Sequence, residues 1–348
     1  MKARLLALAS IVTSLALGAA GLASSVQAQQ QPLQKVNVGL LYLLADAGLF
    51  VALEKGYFKE QGLDVQLSRF VSGSDAVSLL AMDRLDVGSG SITPGLLNAY
   101  MRGAKAPIVS SKAIISSTDL GGNSLLVRTD LIESGRVKAI ADLKGLKIAI
   151  NNIQATSLNY VMRGIAKGGL GRKDVDLIEM PFEQFIPALQ KKAVDVVLAY
   201  SPLANTIADR LKLAVALPEA SPALTADGDT ANVMFYSSSF LKSEQGMAFM
   251  VAHLKGLRDY QAAIFDGKGN RTEICAMIRK HLSYVSEDCA GIAMSAVDPN
   301  GVVNVESLER YQDEWVNWGL MRDKANIRAN VDPGPLNYAI GKLGKYVK

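Results

Sequence analysis

The chain has 348 residues, 49% of them hydrophobic and 20% charged, with a formal net charge of +4. So mild a charge argues against a nucleic-acid partner, and the length suits two lobes better than one core. The two cysteines, Cys275 and Cys289, are not spaced as any metal motif, and no metal or cofactor is implied.

In chain order, the first segment is a leader. Lys2 and Arg4 form a short positive stretch, and Leu5 to Leu22 is apolar and uncharged. Val26-Gln27-Ala28 is a V-x-A cleavage site. Residues 1–28 are therefore expected to be a secretory signal peptide. The alternative, a membrane anchor, is disfavoured by the good cleavage site and by an apolar run that barely reaches spanning length. Removing two positive charges takes the net charge from +4 to +2 over about 320 remaining residues. Export, most simply to a bacterial periplasm, permits a disulfide between Cys275 and Cys289; two free thiols on C-terminal helices are the equal alternative.

The first strand is expected over Val36–Leu40. A helix follows from Leu43 to Lys55, stopped by Gly56 in a left-handed turn. Tyr57 and Phe58 begin a second turn ended by Gly62, and Leu63–Leu67 alternates as a strand does. The result is a βαβ unit, the building block of parallel sheets. The pattern repeats: a helix capped by Ser74 or Asp75, a strand at Asp86–Gly88, and a helix announced by Thr93-Pro94 as cap and first position. Ile108–Ile115 is a further strand. A second set begins near residue 140, with strands at Lys147–Ile150, Asp176–Met180, Val194–Tyr200 and Leu213–Leu217. Helices at 156–167, 182–191 and 203–210 separate them. Residues 218–231 are turn-rich, Asn232–Ser237 reads as a strand, and from Ser239 the chain is mainly helical. In the helix at 308–321, Trp315 and Trp318 share a face and are expected to pack on the first lobe.

The stretch Ala52-Leu53-Glu54-Lys55-Gly56-Tyr57-Phe58-Lys59-Glu60-Gln61-Gly62-Leu63-Asp64-Val65 resembles the signature of the nitrate/sulfonate/taurine-type substrate-binding proteins of ABC transporters. Ser72-Gly73-Ser74-Asp75-Ala76, Asp83 to Gly88, Asp142 to Lys147 and Ala188 to Asp195 resemble further family blocks, in the right order. Lys192 stands where glycine is common. The resemblance implies an α/β chain with the type II periplasmic-binding-protein fold, two α/β lobes joined by two crossover strands and closing as a hinge. Lobe 1 would comprise 33–122 plus 232–348, and lobe 2 residues 123–231. By that analogy the opening motif identifies the fold, with Tyr57 and Phe58 as core residues, and does not itself touch ligand.

Three loops are expected at the cleft, where strand C-termini favour ligands. They are Leu41–Asp46 with Tyr42 and Leu43, the stretch Ser89-Gly90-Ser91-Ile92-Thr93, and Gln154-Ala155-Thr156-Ser157. Hydroxyl-bearing loops at helix starts suit an anionic head group; the plainer reading makes Thr93, Thr156 and Ser157 helix caps. Tyr42 and Tyr200 either stack on a ligand or are half-buried packing residues. Ser201 and Asn232 are further hydrogen-bonders. No lysine or arginine lies within these loops, which favours a monoanion. Arg69, Arg128 and Arg163 are nearby and read as solvated or structural.

The expected function is an extracytoplasmic solute-binding protein of an ABC uptake transporter. It would capture a small organic anion, sulfonate or carboxylate, as a monomer that meets a membrane permease. One alternative is a sensor signalling to a membrane receptor. Another is a pyrimidine-precursor binding protein or enzyme of thiamine metabolism. Against catalysis, the sequence holds no P-loop, GxSxG or HExxH motif, and His253 and His281 read as surface residues of tail helices.

Overall fold

Why the chain alternates strand and helix is visible between residues 34 and 69. In this computed structural model the described residues are 32–70, 73–116, 123–221, 226–283, 285–290 and 292–347. The expected signal peptide lies outside them, as do the side chains of Ser74 and Asp75. Gln34–Leu40 (β1) leads through a tight turn at Leu44–Asp46 into Ala47–Glu54 (α1). Gly56, at φ 75°, turns the chain in the left-handed region that favours glycine, and Tyr57–Glu60 (α2) precedes Leu63–Arg69 (β2). β1 and β2 pair in parallel, from Gln34 opposite Leu63 to Leu40 opposite Arg69.

Gly73–Ala81 (α3), Val87–Gly90 (β3), Pro94–Met101 (α4) and Ile108–Ile114 (β4) follow. The second set is Asn123–Arg128 (β5), Thr129–Glu133 (α5), Lys147–Ile150 (β6), Thr156–Ala166 (α6), Asp176–Glu179 (β7), Phe185–Gln190 (α7) and Val196–Tyr200 (β8). Leu203–Asn205 (α8) runs on as a wider turn over Thr206–Arg210, before Ala214–Ala216 (β9) and Thr230–Tyr236 (β10). Two five-stranded sheets result, in the orders β2-β1-β3-β10-β4 and β7-β6-β8-β5-β9. In each, three parallel strands meet an antiparallel fourth, β10 against β3 and β5 against β8. This is the two-lobed α/β architecture the resemblance implies.

β5 is absent from the sequence reading, which starts the second set near residue 140. The reason is physical. Leu125, Leu126 and Val127 are all buried, because β5 lies between β8 and β9 with both faces covered, and such a strand shows no alternation.

The chain passes between the sheets twice, before β5 and before β10. The passages lie side by side: Gly228 N–H donates to the Ile115 carbonyl (2.8 Å) and Ile115 N–H to the Asp229 carbonyl (2.9 Å).

The tail comprises Ser238–Leu241 (α9), Glu244–Ile264 (α10), Arg271–Arg279 (α11), Val305–Asn317 (α12) and Gly334–Leu343 (α13). α10 lies directly on α1. A β-carbon on Gly256 would come within 2.4 Å of the Gly48 carbonyl oxygen, so only glycine permits the approach. The opening motif docks on the same helix. Phe58 is buried against Phe249, with ring centroids 4.7 Å apart. Tyr57 is half-buried rather than core: its hydroxyl donates to Asp259 (2.5 Å), Lys55 pairs with the same carboxylate (2.8 Å), and Lys255 sits 3.8 Å from its ring centroid. Burial and Asp259 together push the Tyr57 phenol up from its ordinary value. Cys275 and Cys289 form a disulfide joining α11 to the following loop.

Two expectations about the tail need correction. α12 does not pack on the first sheet's lobe alone. Arg163 of α6 pairs with Glu314 (2.7 Å) and with Asp229 (3.0 Å), Arg310 pairs with Asp229, and Tyr160 meets Tyr311 at 3.3 Å. Trp315 is fully buried, in a cluster drawing on both sheets, and Trp318 packs against its margin. Nor are the histidines surface residues. His253 is fully buried in α10, and burial, with Lys112 nearby, pulls its imidazole down to about 3. His281 stacks on Phe50 (4.5 Å) and bonds Glu54 (2.9 Å).

Candidate functional site

In open α/β sheets, ligands sit beyond the carboxyl ends of the parallel strands. The loop after β1 is the most elaborately held of these positions. Asp46 is buried; its Oδ2 accepts from the Leu43 N–H (2.9 Å), and its Oδ1 accepts from the Ser89 hydroxyl (3.0 Å) and from the Lys112 ammonium. Lys112, from β4, is itself fully buried and also donates to Ser89 Oγ. Sequence reasoning missed it. The available signal was an ionisable residue inside the apolar strand run Ile108–Ile114, since lysine is almost never fully buried without a partner.

This anchor supports an uncommon backbone. Tyr42 has φ 55°, a left-handed conformation that bulky residues rarely adopt. Its ring lies 5.7 Å from Phe50 and 4.6 Å below the Arg69 guanidinium carbon, measured to the centroid. Leu43 beside it is exposed. Strain of this kind persists only where surrounding structure fixes it, and such positions cluster at ligand sites.

The remaining expected residues divide by what they already bind. Ser89 is buried and engaged with Asp46 and Lys112. Gly90 is buried opposite Val233. Ser91 donates to the Ala231 carbonyl (3.0 Å). Thr93 is a true N-cap, its hydroxyl accepting from Leu96 N–H (3.0 Å). In the second sheet the cap of α6 is Ala155, which offers no side-chain bond, so Thr156 and Ser157 stand in the first turn. Ser157 is buried and donates to the Asn152 carbonyl (2.8 Å). Tyr200 is half-buried against Phe182 (5.8 Å), and burial raises its phenol well above the ordinary value. Ser201 receives a hydrogen bond from Ala293 N–H (2.9 Å), across from the segment whose Met294 belongs to the first sheet's core. Asn232, in β10 opposite Ala113, is half-buried.

A few polar groups at these strand ends have no protein partner among the described residues. They are the buried Asn151 Oδ1 just after β6 and, on half-buried residues, the Asn232 side-chain amide and the Tyr42 hydroxyl. Asn151 also escaped the sequence reading; an asparagine pair directly after a strand was the available cue. A buried polar group left open in a folded protein calls for a partner; Asn151 Oδ1 stands at a strand end, whereas Asn159 Oδ1, Trp315 Nε1 and both His253 ring nitrogens are open within helices. Arg128 and Arg163 are structural: Arg128 pairs with Asp130 (2.8 Å) and Asp195 (3.2 Å), and Arg163 with Asp229 and Glu314.

Comparison with known proteins agrees with this architecture. Residues 45–263 match the family described as NMT1/THI5 like. A putative binding protein of Brucella abortus is 31% identical over 162 residues, 46% of each chain, so the chain spans about half the length of the curated relatives it matches. The alkanesulfonate-binding protein SsuA of Xanthomonas axonopodis, bound to MOPS, superposes with a TM-score of 0.62 at 16% identity, covering 86% of this chain and 98% of that one. The periplasmic nitrate-binding protein NrtA of Synechocystis gives 0.64 at 13% identity, covering 90% and 89%. The desulfurization enzyme DSZB gives 0.60 at 15%, covering 89% and 99%. At such identities the structural likeness speaks for the fold. The chain belongs to the NMT1/THI5-like family.

Proposed function

We propose that this member of the NMT1/THI5-like family is the extracytoplasmic solute-binding protein of an ABC uptake system, and that it captures a small organic anion between its lobes by hinge closure. The observation that carries the reading is the pair of sheets of matching strand order. They are linked by two hydrogen-bonded passages, and a buried unpartnered oxygen, Asn151 Oδ1, stands at the end of β6. The fold of SsuA and NrtA, proteins described by what they bind, supports it. So does the Brucella relative, described as a binding protein. Export to the periplasm and delivery to a membrane permease belong to the same proposal.

Catalysis is the competing reading, since DSZB shares the fold. The groups that would perform it are engaged elsewhere: both cysteines form a disulfide, His253 is sealed in α10, and His281 stacks on Phe50. Ser89 and Lys112 touch, as a nucleophile and base would. Asp46 answers the lysine's charge, however, and all three side chains are closed off from solvent.

The test is thermal melting of the purified protein with millimolar sulfonates, carboxylates, pyrimidines and nitrate. A ligand present at a thousand times its dissociation constant stabilises the native state by about 4 kcal/mol, which gives a clear rise in Tm. Stabilisation by organic anions alone supports the proposal. Stabilisation by the pyrimidines alone would move the protein to the thiamine-related branch of the family.

A further inference from the structure

Resting on the reading above, we infer that Arg69, stacked on Tyr42, is the residue that binds the ligand's oxyanion, and that the ligand is a singly charged organic carboxylate or sulfonate. Arg69 ends β2, directly opposite Leu40, the last residue of β1. It therefore stands at the carboxyl edge of two adjacent parallel strands. Of the three arginines near the strand ends, it alone has no carboxylate partner among the described residues. Lys112, the nearby lysine of the anchor, is already matched by Asp46. Among the described residues, this end of the sheet thus offers one uncompensated positive charge.

The geometry gives that charge a direction. Arg69 is exposed, and its guanidinium carbon lies over the Tyr42 ring, 4.6 Å from the centroid. A guanidinium over an aromatic ring is held there by cation–π attraction, and its N–H groups match two oxygens of a carboxylate or sulfonate. Tyr42 in turn lies 5.7 Å from Phe50, centroid to centroid, and its backbone is held at φ 55°. The Asp46–Ser89–Lys112 anchor lies under the same loop. The buried ion pair that holds Leu43, the strained Tyr42 and the exposed Arg69 thus meet at one loop. The arrangement suits an anion of one charge. A dianion would leave a second charge unanswered.

The experiment is titration calorimetry of wild type, Arg69→Gln, Arg69→Lys and the surface control Arg102→Gln with ethanesulfonate, MOPS, butyrate and benzoate. Butyramide and benzamide serve as neutral counterparts. Melting curves without ligand report folding of each variant. The expected result is binding of at least one anion, weakened tenfold or more by Arg69→Gln and less by Arg69→Lys, with Arg102→Gln unchanged and the amides inert. Whether the sulfonates or the carboxylates respond identifies the head group. Anion binding that Arg69→Gln leaves within twofold of wild type overturns the role of Arg69 and leaves the solute-binding proposal standing. Binding of the amides alone, or of no member of the panel by wild type, overturns both.

Discussion

After β1 the chain turns over a buried ion pair; after β6, the equivalent place in the second sheet, it turns over hydrogen bonds with no buried ion pair among the described residues. The first loop is tied through Asp46 to Leu43, Ser89 and Lys112. The second is tied by Ser157 to the Asn152 carbonyl and by Gln154 N–H to Asn152 Oδ1 (2.7 Å), with Ile153 N–H reaching the Glu179 carboxylate (2.8 Å). Matching topology therefore does not dictate matching chemistry. A buried ion pair fixes geometry at a desolvation cost, and it sits under the loop that carries strain. The second set carries no buried ion pair and leaves the first turn of α6 without a side-chain cap.

The comparison breaks most sharply at Asp46. Replacing it with alanine leaves the Lys112 charge buried without its partner, which costs about 3–5 kcal/mol and should show as a large fall in the urea midpoint. The double change Asp46→Leu with Lys112→Met should restore most of that stability while binding stays impaired, since the loop would lose its anchor. A loss below about 1 kcal/mol for the single variant would mean that the pair does not hold the loop.

His253 sharpens the contrast through pH. Its folded pKa, about 3, lies below its ordinary 6.5, because burial comes first and Lys112 adds to it. The unfolded chain therefore takes up the proton first as pH falls. The stabilising contribution is whole above pH 6.5 and declines by about 1.4 kcal/mol per pH unit toward the folded value. Urea denaturation at pH 7 and pH 5 should show the wild type losing about 2 kcal/mol more than His253→Leu on this account. Equal losses would mean the imidazole is protonated or solvated in the native state.

Ser157→Ala gives the smallest effect. It removes one hydroxyl-to-carbonyl bond and should cost about 1 kcal/mol in the same denaturation assay. A loss as large as that of Asp46→Ala would erase the difference between the two loops.

How much of this was legible follows the same divide. The βαβ repeat is written in local signals: Gly56 at a left-handed turn, Thr93-Pro94 at a helix start, and the alternation of Leu63 to Leu67. The disulfide was one of two open possibilities, because pairing depends on where α11 and its loop meet. β5 was hidden because burial on both faces removes the alternation that marks a strand. Lys112 and Asn151 were hidden for a related reason. Their meaning lies in partners, or the lack of them, that come from distant segments: Lys112 meets Asp46 across 66 residues of sequence. The packing of α12 likewise could not be assigned from its own pattern. An amphipathic helix shows which face is buried and not which lobe it is buried against. Of the expected ligand residues, Tyr42 and Asn232 retain open polar groups, whereas Ser89, Ser91 and Ser157 already have hydrogen-bond partners.

The most direct test of the account is titration calorimetry of the wild-type protein with the anion that stabilises it best, followed by mass spectrometry of the released ligand. The account predicts a single site per chain and a ligand recovered chemically unchanged. A ligand recovered transformed would contradict it.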